Sequence, residues 1–173
     1  MLVGHAESAT RNKRFAGVKH FLDPIPSAIV QSHSIELGYT RSTQLTLFTD
    51  GEEGLERYVK EATGVAKRPT LDWFHITMRI QHIRQAAKSL SARLPSHAEA
   101  KRVIQAEVER LHWRLWHGKK DTVDKRLEIL SSAIKAYRRH LKKWHQIPHR
   151  KFMVMVFELK RYVQNQATKI TNY

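Results

Sequence analysis

QLTLFTDGEEGLERYVKEATGVAKRPTLDWFH, residues 44–75, holds two apolar runs separated by an amphipathic stretch. In residues 44–49 (QLTLFT), Leu45 and Leu47 face one way and Thr46 and Phe48 the other, so both faces are apolar or β-branched. A strand with that pattern belongs inside a layered sheet. Asp50-Gly51 ends it. Residues 52–63 then place Leu55, Tyr58, Val59 and Ala62 on one helical face, with Asp50 available as N-cap and Gly64 as terminator. Lys67-Arg68-Pro69 turns the chain into residues 70–74 (TLDWF), a second short strand. Strand, helix and strand in this order make a βαβ unit with two parallel strands, so the expected class is α/β.

On the N-terminal side the signals are sparser. Residues 14–21 (RFAGVKHF) are a candidate strand anchored by Phe15 and Val18, and Asp23-Pro24-Ile25-Pro26 opens a helix over residues 27–37 that stops at Gly38. On the C-terminal side almost everything is helix. Ile76, Ile80, Ile83, Ala87 and Leu90 stripe a first helix, residues 76–94, ended by Pro95. Ile104, Val108, Leu111 and Leu115 stripe a second, residues 99–117, ended by Gly118. Leu127, Leu130, Ile134, Tyr137, Leu141 and Trp144 form a seam along residues 122–146 that suits a helical hairpin or short coiled coil. Ile147-Pro148 breaks that helix, and residues 150–166 present Phe152, Val156, Leu159 and Val163.

Charge divides at the same place. Of 31 Lys and Arg against 16 Asp and Glu, residues 1–75 hold nine of each and residues 76–173 hold twenty-two against seven, so the whole surplus of +15 lies in the helical part. With a pI near 10.3, the expected partner is a polyanion or an acidic protein surface. The 173 residues suffice for a real core, and the absence of cysteine excludes disulfides, thiol nucleophiles and Cys-based metal sites. No run approaches 18 apolar residues, which argues against a membrane span. MLVGHAES does not read as a signal peptide, so the cytoplasm is the expected location.

Several residues carry chemistry. Asp50, at the carboxyl end of an interior strand, is either a rim ligand of the kind open α/β sheets present or the N-cap of the next helix. Asp72, within an apolar strand, needs a partner if buried: a metal ion, His75 or an arginine, unless it lies at an exposed strand end. His75 and His82 are seven apart, too far to share a metal readily, and His112 and His117 lack the spacing of a metalloprotease pair. Arg102, Arg110, Arg114, Arg138, Arg139, Lys142 and Lys143 lie along one expected basic face, read either as a phosphate-binding surface or as a solvated helix side. Trp113, beside Arg110, Arg114 and His117, is a stacking candidate for a base, whereas Trp144 continues the apolar seam.

LTLFTDGEEGL (residues 45–55), LDWFHITMRIQHI (residues 71–83), RLHWRLWHGK (residues 110–119) and ELKRYVQNQATKITNY (residues 158–173) resemble, in this order, segments of bacterial insertion-sequence transposases related to the Mutator type, with DWFHITMR the most specific piece. The resemblance implies an incomplete ribonuclease H-like core over residues 1–75 followed by a large, all-helical basic insertion over residues 76–173. In that family three acidic residues hold two divalent ions, usually Mg²⁺, about 3.5–4 Å apart for strand cleavage and joining. By resemblance Asp50 is the second of the three, and Asp72 and His75 match a signature at the next strand. The first Asp would lie upstream of residue 1, and the final Glu beyond Asn172-Tyr173. Glu158 belongs to the insertion and does not replace it. The expectation is therefore an internal transposase fragment that binds DNA, holds no Mg²⁺ tightly and catalyses nothing alone. Its expected protein partners are a full-length transposase or further copies of itself. The competing expectation is a non-catalytic basic helical nucleic-acid-binding module, or a remnant without a role.

Overall fold

A computed structural model describes residues 2–17, 25–51, 54–139 and 146–173. The chain is mixed α/β and mostly helical, and it divides into two compact units, Met1–Thr70 and Leu71–Tyr173.

The first unit begins with an antiparallel hairpin of β1 (Leu2–Glu7) and β2 (Asn12–Gly17), in the register Leu2 to Gly17 through Glu7 to Asn12. The Ser8 amide donates to the Arg11 carbonyl at 2.8 Å and closes its turn. Phe15 lies over Gly4, where a Cβ would stand, and stacks on His33 of helix α1 (Pro26–Glu36) with ring centroids 5.2 Å apart. Lys13 reaches Glu36 at 2.7 Å. Helix α2 (Leu55–Thr63) packs against α1 and ends at Gly64. β3 (Phe48–Thr49) pairs with β4 (Thr70–Leu71), the Thr70 amide donating to the Leu47 carbonyl at 2.7 Å.

Three expectations change here. The strand over residues 44–49 shrinks to two residues, and Phe48 stands exposed rather than inside a layered sheet. The N-cap of α2 is Gly54, so Asp50 does not cap that helix. The hairpin pairs residues 12–17 with the N-terminal MLVGHAES segment, which carried no strand signal strong enough to read. Residues 18–24, which include part of the expected strand at 14–21 and Asp23-Pro24, lie outside the described residues, as do Glu52 and Glu53.

The second unit is a ring of four helices. α3 (Trp73–Ser89) packs on α4 (Pro95–Trp116), α4 on α5 (Lys120–Arg139), α5 on α6 (Gln146–Asn165), and α6 back on α3. Each contributes one buried stripe at the same spacing: Ile76, Ile80, Ile83, Ala87; Ile104, Val108, Leu111, Leu115; Val123, Leu127, Leu130, Ile134, Tyr137; Phe152, Val156, Leu159, Val163. Steps of four and three average 3.5 residues, which keeps each stripe facing its neighbours along the helix. Every fully buried aliphatic or aromatic side chain stabilises by about 1.5–3 kcal/mol.

TLDWF is not a strand throughout. After Leu71 the chain turns helical, and Asp72 caps α3, its Oδ1 accepting from the Phe74 amide at 2.9 Å. Pro95 does not end a helix but stands at the first position of α4, where its missing N–H costs nothing. Likewise Pro148 sits in the first turn of α6 instead of breaking a helix. Leu141 and Trp144, the expected continuation of the α5 seam, lie outside the described residues.

Polar contacts tie the ring together. Arg84 on α3 makes a two-pronged bond to Glu109 on α4, both at 2.6 Å, which holds the Glu109 carboxyl below its usual range. Lys101 Nζ donates to the Lys88 and Leu90 carbonyls at 2.6 and 2.8 Å, satisfying the end of α3. Tyr137 donates to the Ser91 carbonyl at 3.0 Å, and buried His149 donates from Nε2 to the Ile134 carbonyl at 3.2 Å.

Residues 169–173 form a strap across one end of the ring. The Lys169 carbonyl accepts from the Leu71 amide at 2.8 Å, the Tyr173 amide donates to the Trp116 carbonyl at 3.0 Å, and the Tyr173 hydroxyl donates to the Leu71 carbonyl at 2.7 Å. Ile170 is buried beneath it, and Trp73, Trp116 and Tyr173 form an aromatic cluster with centroids 4.9–6.1 Å apart. Burial pushes the Tyr173 phenol up to about 12, so it remains a proton donor at neutral pH. The strap requires Gly118: its φ is +60°, and a Cβ there would lie 2.8 Å from the Thr171 carbonyl carbon. No helix among the described residues is long and apolar enough to cross a membrane.

Two measurements check this packing. Gly118→Ala combines left-handed strain with a collision against backbone, and should lower unfolding free energy by about 1–3 kcal/mol in urea titration. Burial lowers the His149 pKa from its ordinary 6.5, with the bond to Ile134 opposing and the Arg138 charge reinforcing the effect. The unfolded chain therefore takes up a proton that the folded one refuses. Stability contributed by this group is full above pH 6.5 and declines as pH falls below it, with His112 shifted in the same direction. Between pH 7 and pH 5, wild type should lose stability, and the double variant His149→Gln, His112→Gln should lose measurably less.

Candidate nucleic-acid interface

RLHWRLWHGKK, residues 110–120, rounds the corner where α4 gives way to α5. Leu111 and Leu115 turn inward, which puts Trp113 and Arg114 on the outward side of the last two turns. Trp113 is 48% exposed. Around its ring stand the Arg114 guanidinium at 5.4 Å, Lys119 Nζ at 4.7 Å and the His117 ring at 4.3 Å. Beside this group, Arg114, Gly118, Lys119, Lys120, Asp124 and Gln164 line a small groove. Its carboxylate, Asp124, accepts from Gln164 Nε2 at 3.0 Å, and three cations, Arg114, Lys119 and Lys120, line the same groove.

The other basic residues of the expected face do not line this groove. Tyr137 and His97 meet with ring centroids 5.1 Å apart, which sets the C-terminal end of α5 beside the start of α4. Because α4 has 22 residues and so spans about 33 Å, exposed Arg138 stands at the opposite end from Trp113. Arg102, near that same end, pairs with Glu99. Arg110 pairs with Glu107, a carboxylate only 3% exposed that Arg126 also holds at 3.1 Å. The basic face expected as one surface thus separates into an aromatic corner and a distant arginine end. Arg139 closes α5 with its side chain outside the described residues, and Lys142 and Lys143 lie wholly outside them.

Lys119 and Lys120 are the residues that linear reading underrated. The signal was present in WHGKK: a glycine directly after a helical seam folds the following lysines back toward the last turn.

Of the expected catalytic residues, Asp50 lies exposed just after β3, where the Gly51 amide donates to Thr49 Oγ1 at 3.1 Å. Asp72 Oδ1 is engaged as the α3 cap, and Oδ2 lies 3.9 Å from His75 Nε2 in the first turn. His75 meets the Phe74 ring edge-on at 5.6 Å.

No family model, curated protein or solved structure matches the chain. The chemistry of the corner is therefore argued from its own side chains. An exposed indole bordered by cations offers a π-face for a base and charge for its phosphates, a combination suited to binding. Asp72 spends an oxygen on the backbone, and among the described residues no three His, Asp or Glu side chains gather as a metal-binding group. Mg²⁺ at millimolar concentration should leave the thermal midpoint of wild type and Asp50→Asn alike unchanged. A wild-type shift that Asp50→Asn abolishes would reveal a metal site there.

Proposed function

We propose that the protein binds nucleic acid, DNA foremost, through its helical unit, without cleaving or joining strands by itself. The observation that carries the reading is the exposed Trp113 ring bordered by Arg114 and Lys119, beside a groove that Arg114, Lys119 and Lys120 line. It belongs to a unit, residues 71–173, with twenty-two Lys and Arg against eight Asp and Glu. Cations along the groove track phosphates, and the indole takes a base face, so binding is strong in low salt and weakly selective for sequence.

A transposase-like descent is the more specific form of this proposal. Its support is the resemblance carried by DWFHITMR and the order β3, α2, β4, with Asp50 directly after β3 and a pairing between the two strands. On that reading the first unit corresponds to part of a ribonuclease H-like core and the second to its basic insertion. A full-length relative or another copy of the chain would then share the DNA.

Fluorescence anisotropy with a labelled duplex and a labelled single strand tests the proposal. Affinity for both should fall steeply between 50 and 200 mM salt, with a log–log slope of about −0.9 per neutralised phosphate on the duplex. Lys119→Ala and Lys120→Ala should each flatten that slope by about one. Trp113→Ala should weaken single-strand binding by about 1–3 kcal/mol. Affinity that ignores salt would refute nucleic-acid binding, and an unaffected Trp113→Ala would remove the indole from the interface.

A further inference from the structure

Helix α6 carries a second seam. Its buried stripe is Phe152, Val156, Leu159 and Val163; on the outward side Arg150, Val154, Phe157 and Arg161 repeat the same steps of four, three and four. Val154 is 50% exposed and Phe157 65%, and together with Arg150, Met153, Glu158 and Arg161 they line a shallow groove. Two apolar side chains adjacent on a helix, in a concavity, with an arginine at each end about 16 Å apart, form a patterned surface rather than a stray exposed residue.

We propose that this face docks an amphipathic helix of another protein that bears a carboxylate at each end of a short apolar stripe. The spacing argues for a helix, because it is the spacing by which all four helices of the unit already pack on one another. The arginines argue for acidic ends, since each offers a planar fork that a carboxylate fills. Charge also argues against a second copy of this chain. An antiparallel copy that set Phe157 against Val154 would bring Arg150 of one chain against Arg161 of the other. A parallel copy would set each arginine against its own equivalent, and both chains carry +15. A phosphate backbone gains nothing from the exposed Val154 and Phe157, which an apolar stripe on a helix would cover. The site is separate from the Trp113 corner, so this inference does not rest on nucleic-acid binding.

The probe is a synthetic helical peptide with Glu, Leu, Leu and Glu at the four-three-four spacing and neutral residues elsewhere, titrated against the full chain by anisotropy. Saturable binding is expected, weakened about tenfold or more by Phe157→Ala, in line with the area that ring would bury. The double variant Arg150→Glu, Arg161→Glu should lose this peptide and gain one with Lys in place of Glu. Circular dichroism equal to wild type would show that these surface variants fold. Failure of the acidic peptide to bind, equal binding by Phe157→Ala, or no exchange of preference in the charge-reversed variant would each overturn the proposal. So would a Phe157→Ala loss of DNA affinity with peptide binding intact, which assigns the face to nucleic acid. A sedimenting dimer that Phe157→Ala dissolves would assign it instead to a second copy.

Discussion

The helical unit depends on one spacing. Four helices each place an aliphatic or aromatic residue inward at alternating steps of four and three, and the four stripes meet in a single interior that runs from Ile76 to Val163. That arrangement confines the demand for apolar residues to roughly two positions in every seven. The remaining positions are free to be anything soluble, and this chain fills them with Lys and Arg. A strongly basic surface and a dry core are thus compatible here because the periodicity separates them. Where a charge does enter the interior, as Glu107 does, arginines from its own helix and from α5 meet it. Removing one partner from such a group is costly because the other stays behind, partly desolvated.

Much of this was legible in the linear sequence. The inward residues of α3, α4, α5 and α6 read directly from the pattern because a long helix repeats its signal several times. Short segments offered no such repetition. TLDWF spans too few residues to tell a period of two from a period of 3.6, and the deciding fact, that Asp72 Oδ1 caps the Phe74 amide, is a property of the helix that follows. Pro95 was ambiguous for a related reason, since proline suits the first position of a helix as well as the gap after one. The β1–β2 hairpin depends on cross-strand fits such as Phe15 over Gly4, which no local window contains.

The candidate corner was half visible. Trp113 stood out as an aromatic residue off the apolar stripe, and it is exposed as that position implies. One of its partners comes from beyond the helix end, through a turn at Gly118 that returns Lys119 to the indole. The list of basic residues along the helices, by contrast, promised one continuous surface that the ring does not make. Antiparallel neighbours carry residues close in pattern to opposite ends, and several arginines are engaged by glutamates on α4. Net charge was easy to count, while its distribution needed the turns.

The strap of residues 169–173 brings the chain back to Leu71, where the two backbones are hydrogen-bonded at 2.8 Å. The same few residues therefore hold both the entry to α3 and the far end of α6. If residues 169–173 lift away, the Leu71 amide and carbonyl lose their partners together and Ile170 is uncovered, so the strap and the start of α3 open as one cooperative unit instead of fraying separately.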